Sequence, residues 1–248
     1  MKPPLISVIT AVKNGAACLE SAMSSVEGQY FRDFEYIVID GGSEDGTVEI
    51  IERHKEAMAY WVSEPDKGIA DAFNKGVLAS RGSVLLFMGS DDCLKDNAVL
   101  GQVEEAMKDL KKPYFFYGDI DYVYAKQVRR IEKNYSCQKF RSYSCIPHQA
   151  MFLDRFFFEK YGLFDCGYKI AMDYEHTARF IREHRPEHVA IVVAEMRRYG
   201  VSSNPLAAHR EMDRVRLKHG LASRFEVRLS QAVLRMKLAV AKVFHRDW

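Results

Sequence analysis

Two adjacent carboxylates, Asp91 and Asp92, follow the apolar run Val84-Leu85-Leu86-Phe87-Met88 through Gly89-Ser90. Neighbouring carboxylates repel one another unless a cation or hydrogen bonds offset the cost. Mg²⁺ characteristically takes one or two carboxylates together with phosphate oxygens, so the pair has the makings of a clamp for a metal-bound diphosphate. It is equally compatible with a loop or a helix cap. A further acid, Asp40, ends the run Tyr36-Ile37-Val38-Ile39 and opens Asp40-Gly41-Gly42-Ser43. It reads either as a turn residue at a strand end or as an acceptor for hydrogen bonds from a base or ribose. The first apolar run, Leu5 to Val12, also ends in a polar cluster, Thr10 to Asn14. Ligands of open α/β sheets bind beyond the carboxyl ends of parallel strands, so these three tips form one cleft if the strands are neighbours.

Several nucleotide and metal motifs are absent. Gly41 and Gly46 have P-loop spacing, but Thr47 stands where that loop requires Lys. No G-x-G-x-x-G follows the first run, and the 8 His and 5 Cys show no zinc-ligand spacing.

The elements that position these acids alternate. Residues 5–12, 36–39, 60–62 and 84–88 are short apolar runs with strand character. Between them, residues 17–29, a segment through Val48, Ile50, Ile51 and His54, and residues 69–80 carry helical spacing, as do residues 97–111. Strand and helix in turn predict an α/β sandwich around a mostly parallel sheet. Beyond residue 113 the period is less regular. Strands are expected at 114–119, 148–153 and 189–194, and helices at 155–161 and 174–183. From Leu217 onward the chain reads as helical, with Phe225, Leu229, Val233, Met236, Val240 and Val243 recurring every three or four residues beside Arg224, Arg228, Arg235, Lys237 and Lys242. That helix packs on its own domain, pairs with another subunit or lies on an anionic membrane.

Composition narrows the class. The 248 residues are 48% hydrophobic and 28% charged, with 15 Gly and 7 Pro, as in a globular domain and unlike a fibrous or low-complexity chain. No apolar run approaches the ~18 residues of a membrane span, and the start of the sequence lacks a signal-peptide layout, so a cytoplasmic protein is expected. An odd number of cysteines without a CxxC pair fits reduced, buried thiols. Residues 209–248 hold ten Lys and Arg against four Asp and Glu, leaving 26 basic and 30 acidic residues in the rest. A mildly acidic body with a basic end suits contact with an anionic surface.

In order and spacing, Ile6 to Asn14, Phe34 to Thr47, Ser63-Glu64-Pro65-Asp66-Lys67-Gly68-Ile69 to Gly76, and Gly89 to Asp92 resemble the family 2 glycosyltransferases of the GT-A fold. The Pro-Asp-Lys-Gly-Ile stretch is similar to bacterial enzymes that build exopolysaccharide, capsule or O-antigen. The resemblance implies a GT-A-like nucleotide-binding sandwich with a C-terminal amphipathic helix. It assigns Thr10, Val12 and Asn14 to the strand end against the nucleotide base and Asp40 to the base itself. Asp91 and Asp92 match the D-x-D element that holds Mn²⁺ or Mg²⁺ on the diphosphate. Lys67 falls in the loop before a donor-site helix. Met172-Asp173-Tyr174-Glu175 is similar to the family's Glu-Asp-Tyr-Asp, which makes Asp173 the catalytic base. Met172 replaces a Glu there, which leaves open whether Glu175 shares the work. His148 is either an acceptor- or phosphate-binding residue or a buried, hydrogen-bonded histidine. Arg198, with Arg197 and Tyr199, precedes a loop that in the family closes over the donor.

The expected protein is a metal-dependent, inverting glycosyltransferase acting in cell-surface polysaccharide synthesis, with a UDP- or GDP-linked sugar donor, a glycan or lipid-linked acceptor and no nucleic-acid partner. Residues 1–208 form its catalytic domain, with the donor half at about 1–120 and the acceptor half at about 121–208. Residues 209–248 form a basic helical tail at the inner membrane face or between subunits. A nucleotidyltransferase and a non-catalytic sugar-nucleotide module are the alternatives.

Overall fold

The computed structural model describes residues 2–124, 127–132, 135–197 and 205–243. The first half runs β1 (Ile6–Val12), α1 (Leu19–Glu27), β2 (Phe34–Asp40), α2 (Thr47–Arg53), β3 (Tyr60–Ser63), α3 (Ile69–Ala79), β4 (Val84–Gly89), β5 (Asp92–Leu94) and α4 (Val99–Met107). The second half runs β6 (Phe115–Tyr124), β7 (Gln127–Ile131), α5 (Cys137–Ser142), β8 (Met151–Asp154), α6 (Phe156–Tyr161), α7 (Met172–Ala178), β9 (Glu187–Arg197), α8 (Pro205–Lys218) and α9 (Arg224–Val243).

One sheet carries the fold, in the order β3-β2-β1-β4-β8-β6-β9-β5, with β7 paired to β6. Strands β3, β2, β1 and β4 are parallel, and β8 enters antiparallel between β4 and β6. The side chains of β1 alternate between two cores, as the pleat requires. Ile9 and Ala11 pack with Phe73 of α3, Phe157 of α6, Tyr174 of α7 and Val215 of α8. Ile6, Val8 and Val12 pack with Leu19 and Met23 of α1, Ile51 of α2 and Val103 of α4. Burial on both faces explains why β1, β2 and β4 read as near-continuous apolar runs. The result is the three-layer α/β architecture expected of a GT-A-like sandwich.

Four details differ from the expected elements. His148–Ala150 is a 3₁₀ turn, its Ala150 N–H bonded back to the Pro147 carbonyl at 3.1 Å instead of across the sheet, and the strand starts at Met151. The helix expected at 174–183 is α7, which starts at Met172 and ends at Ala178, after which Phe180 and Ile181 both turn back to the Thr177 carbonyl. Asp173 therefore sits inside the first turn, and the N-cap position is Ala171. The C-terminal region is two helices, since Gly220 takes a positive φ of 60° that ends α8 before α9 begins. Finally, β5 had no sequence signal. Residue 209, the expected start of the tail, falls within α8.

Candidate active site

Parallel register fixes where the strand tips lie. Val12 of β1 is opposite Asp40 of β2, and Ala11 is opposite Gly89 of β4. The polar ends of all three strands thus stand side by side at one edge. The following loops interlock there: Gly41 N–H donates to the Val12 carbonyl at 2.8 Å, and Asn14 N–H donates to Ser43 Oγ at 2.7 Å. The Asn14 side chain accepts from Glu44 N–H at 3.0 Å. A Cβ on Gly41 would run into the Asp66 carboxylate, so the loop bearing Asp66 and Lys67 closes down on the β2 tip.

Asp40 is fully buried. It accepts from Gly42 N–H at 3.1 Å, Ser43 N–H at 2.9 Å, the Ser43 hydroxyl, and Ser63 Oγ at 2.6 Å. In this state it organises the turn beneath the cleft. Thr10 and Val12 are buried under the same tips, with Thr10 Oγ1 accepting from Tyr36 at 3.1 Å, whereas Asn14 and Lys67 are exposed at the rim.

The acid pair behaves differently. Asp91 lies in the turn after β4, and Asp92 opens β5, where it pairs with Met196 of β9. Asp92 is only 2% exposed. Its Oδ2 accepts from Gly89 N–H at 2.9 Å, while the buried Oδ1 has no hydrogen-bond partner. Burial first, and the Asp91 charge second, push its pKa up to about 7, against the pull of Gly89 N–H and the Gln149 side chain. A buried carboxylate oxygen without a donor is a costly arrangement that a cation relieves. No group of three or more His, Cys, Asp or Glu able to hold a metal occurs among the described residues. Two carboxylates with ligand oxygens completing the shell are the donor set that suits Mg²⁺ or Mn²⁺, so the residues present fit the ion.

A line of side chains leads from this pair to the head of α7. Gln149 acts on Asp92 and donates to Met196 Sδ at 3.2 Å. Beside it, the His148 ring stacks on Phe87 with centroids 5.3 Å apart and meets Phe73 and Phe164 edge-on. His148 Nε2 is buried without a hydrogen-bond partner. Burial lowers the His148 pKa, and the nearby Asp173 charge opposes that shift. Asp173 itself is half-buried.

A family model described as Glycosyl transferase family 2 matches residues 7–184. The chain belongs to that family. An uncharacterized glycosyltransferase of Mycobacterium tuberculosis (strain H37Rv) is 33% identical over 204 residues, covering 81% of this chain and 78% of its own. A PGL/p-HBAD biosynthesis glycosyltransferase of the same strain is 26% identical over 232 residues, covering 92% and 90%. S. aureus TarS 1-349 in complex with UDP-GlcNAc has a similar fold, with a TM-score of 0.71 at 16% identity over 89% of this chain and 67% of that one. Mannosyltransferase PcManGT from Pyrobaculum calidifontis, in complex with GDP-Man and Mn²⁺, gives 0.67 at 18% identity over 90% and 66%. The chain spans 39% of a longer TarS chain. These two structural likenesses establish the fold, and the family establishes a glycosyltransferase over the two alternative classes.

Glu175, left open as a second base, is held in a buried ion-pair cluster. It is fully buried and accepts from Arg179 Nε at 3.0 Å, Lys218 Nζ at 2.8 Å and His219 Nε2 at 2.9 Å. Burial alone would raise its pKa, but the bonds from His219, Arg179 and Lys218 outweigh it and hold the carboxylate well below its ordinary range. Arg198 and Tyr199 lie outside the described residues, and Arg197 is the last residue of β9. Gln149, which acts on Asp92, and Asp66, packed against Gly41, adjoin the candidate site and had no role in sequence reasoning. Gln149 follows His148 directly and had that one signal. Asp66 stands in the Pro-Asp-Lys-Gly stretch, beside the Lys67 that drew attention instead.

Proposed function

We propose that this glycosyltransferase moves a sugar from a UDP- or GDP-linked donor to a glycan acceptor carried on a lipid, with inversion at the anomeric carbon. The observation that carries the donor side is the buried, unpartnered Asp92 Oδ1 beside Asp91 at a strand tip. Asp92, with Asp91, would hold Mn²⁺ or Mg²⁺, which when bound supplies Lewis-acid stabilisation to the departing diphosphate. The loops after β1 and β2, with Thr10, Val12, Asn14 and Asp40, frame the base. Lys67 and Arg198 add positive charge toward the diphosphate. Asp173 takes the proton from the acceptor hydroxyl as it attacks, a general-base contribution of about 10²–10⁴-fold. His148, its pKa lowered by burial, stacks on Phe87 near Asp173.

What the relatives bind supports the donor class: TarS holds UDP-GlcNAc, and PcManGT holds GDP-Man with Mn²⁺. The PGL/p-HBAD biosynthesis relative supports a glycoconjugate acceptor. We assign the chain through α8 to catalysis, donor half first, and α9 to attachment at the cytoplasmic face of the membrane. No helix among the described residues is long and apolar enough to cross a membrane. One face of α9 packs inward through Val227, Ser230 and Gln231. Its other face exposes Phe225 by 74%, Leu229 by 55% and Met236 by 62%. Residues 224–243 hold five Lys and Arg and a single acid, Glu226, so a second copy would meet like charge whereas anionic lipid would not. The test of the reading is transfer from radiolabelled UDP- and GDP-sugars to membrane glycolipid with Mn²⁺, in wild type, Asp92→Asn and Asp173→Asn. Activity that survives chelation and both substitutions refutes it.

A further inference from the structure

The head of α7 is held from outside. Glu211 of α8 accepts the backbone N–H groups of three consecutive residues: Lys169 at 3.1 Å on Oε1, and Ile170 at 2.8 Å and Ala171 at 2.9 Å on Oε2. Asp173 follows two residues later in the first turn. Helix α7 has seven residues, too few to define its own axis in water, so tertiary partners must orient it. Those partners come largely from α8. Glu211 grips the entry, and Lys218, which ends α8, with His219 just beyond it, grips Glu175 in the first turn. Arg179 adds bonds to the Tyr161 and Leu163 carbonyls from the other side.

Residue 172 sharpens the point. Where the similar family pattern has Glu, this chain has Met172, 4% exposed within the apolar core. Besides Asp173 and Glu175 in the first turn of α7, a carboxylate from another helix, Glu211, binds the backbone just ahead of it. We infer that Glu211 is a positioning residue: it fixes the Lys169–Ala171 turn and so aims the Asp173 carboxylate at the acceptor. The inference rests on the reading of Asp173 as the base, and it makes α8 part of the catalytic apparatus.

The test compares Glu211→Met, which keeps side-chain volume but removes both acceptors, with Glu211→Gln, whose single oxygen can still serve Ile170 and Ala171. Glu211→Met should lose ten- to a hundredfold in kcat, while the donor KM and the binding of UDP or GDP with Mn²⁺ stay within about twofold. Glu211→Gln should recover kcat to within about threefold of wild type. In the Asp173→Asn background Glu211→Met should cost little more, because the group it aims is gone. An unchanged kcat in Glu211→Met beside an inactive Asp173→Asn overturns this inference alone, as does an undiminished loss in the double variant. An active Asp173→Asn protein overturns the reading beneath it. Should Glu211→Met not fold, hydrogen exchange on the wild-type chain decides: the Ile170 and Ala171 amides should be protected, and exchange as fast as in an open loop refutes the grip.

Discussion

Replacing Asp92 by Asn should stabilise the metal-free protein and remove its response to metal. Asp92 has its pKa raised from 3.8 to about 7, so roughly three pH units separate folded from unfolded behaviour. At 1.36 kcal/mol per unit, ionising this carboxyl in the folded chain costs about 4 kcal/mol more than in the unfolded one. Between pH 4 and pH 7 the unfolded chain has already released this proton and the folded chain has not. Stability contributed by this group is therefore present at low pH and is lost as pH rises toward 7. Asparagine does not titrate, though its amide brings donors that themselves need partners, a penalty of about 1–3 kcal/mol. The net expectation at pH 8 without metal is a gain on the order of 1–3 kcal/mol, several degrees in Tm for a chain of this length. At pH 5 only about 1.6 kcal/mol of that cost has developed, about the size of the amide's own penalty, so the gain disappears. With Mn²⁺ and UDP or GDP at about a hundred times Kd, wild type gains about 2.7 kcal/mol and the variant gains nothing. Calorimetry at pH 5 and pH 8, with and without metal and nucleotide, reads all four values. A variant less stable than wild type at pH 8 without metal, or one that responds to metal as wild type does, refutes the assignment of the buried Oδ1 to a cation.

Asp173→Asn should keep the fold and nucleotide binding while lowering kcat about 10²–10⁴-fold, measured by steady-state transfer with saturating donor. Glu175→Gln should instead destabilise by about 3–5 kcal/mol, because it leaves Arg179, Lys218 and His219 facing a neutral group. The folded pKa of Glu175 is depressed, so its contribution is present above the ordinary value of 4.5 and is lost as pH falls below it. Urea midpoints of wild type and Glu175→Gln should accordingly differ at pH 7 and converge under acid. Phe225→Glu with Leu229→Glu, both on the exposed face of α9, should abolish binding to vesicles rich in anionic lipid while leaving transfer to a water-soluble acceptor unchanged. Equal sedimentation of wild type and this double variant with such vesicles would remove the lipid assignment.

The candidate site edge was legible because β1, β2 and β4 are buried on both faces and end abruptly in polar residues, so each tip marks itself in the sequence. Position along the chain says where a carboxylate is but not who its partners are. Asp40 shows both sides of that limit. Asp-Gly-Gly-Ser has the chemistry of a turn in which Asp bonds its own following backbone, which the structure realises through Gly42 and Ser43, but the bond from Ser63 depends on the β2–β3 pairing. For Glu175 a usable signal existed. Residues two apart on a helix lie about 200° around the axis, so Asp173 and Glu175 could not face one site. Asp92 had no such signal, since the three-residue β5 exists only because Met196, Glu195 and Ala194 of β9 lie against it. Glu211 is the extreme case, because its partners are backbone amides some forty residues earlier, which leave no trace in side-chain type or spacing. Motifs therefore picked out the candidate site groups, whereas the groups that hold them in place became visible only through packing. That division follows from the physics: reaction chemistry selects side-chain type at a few positions, while any nearby carboxylate of the right reach can satisfy an exposed row of N–H groups.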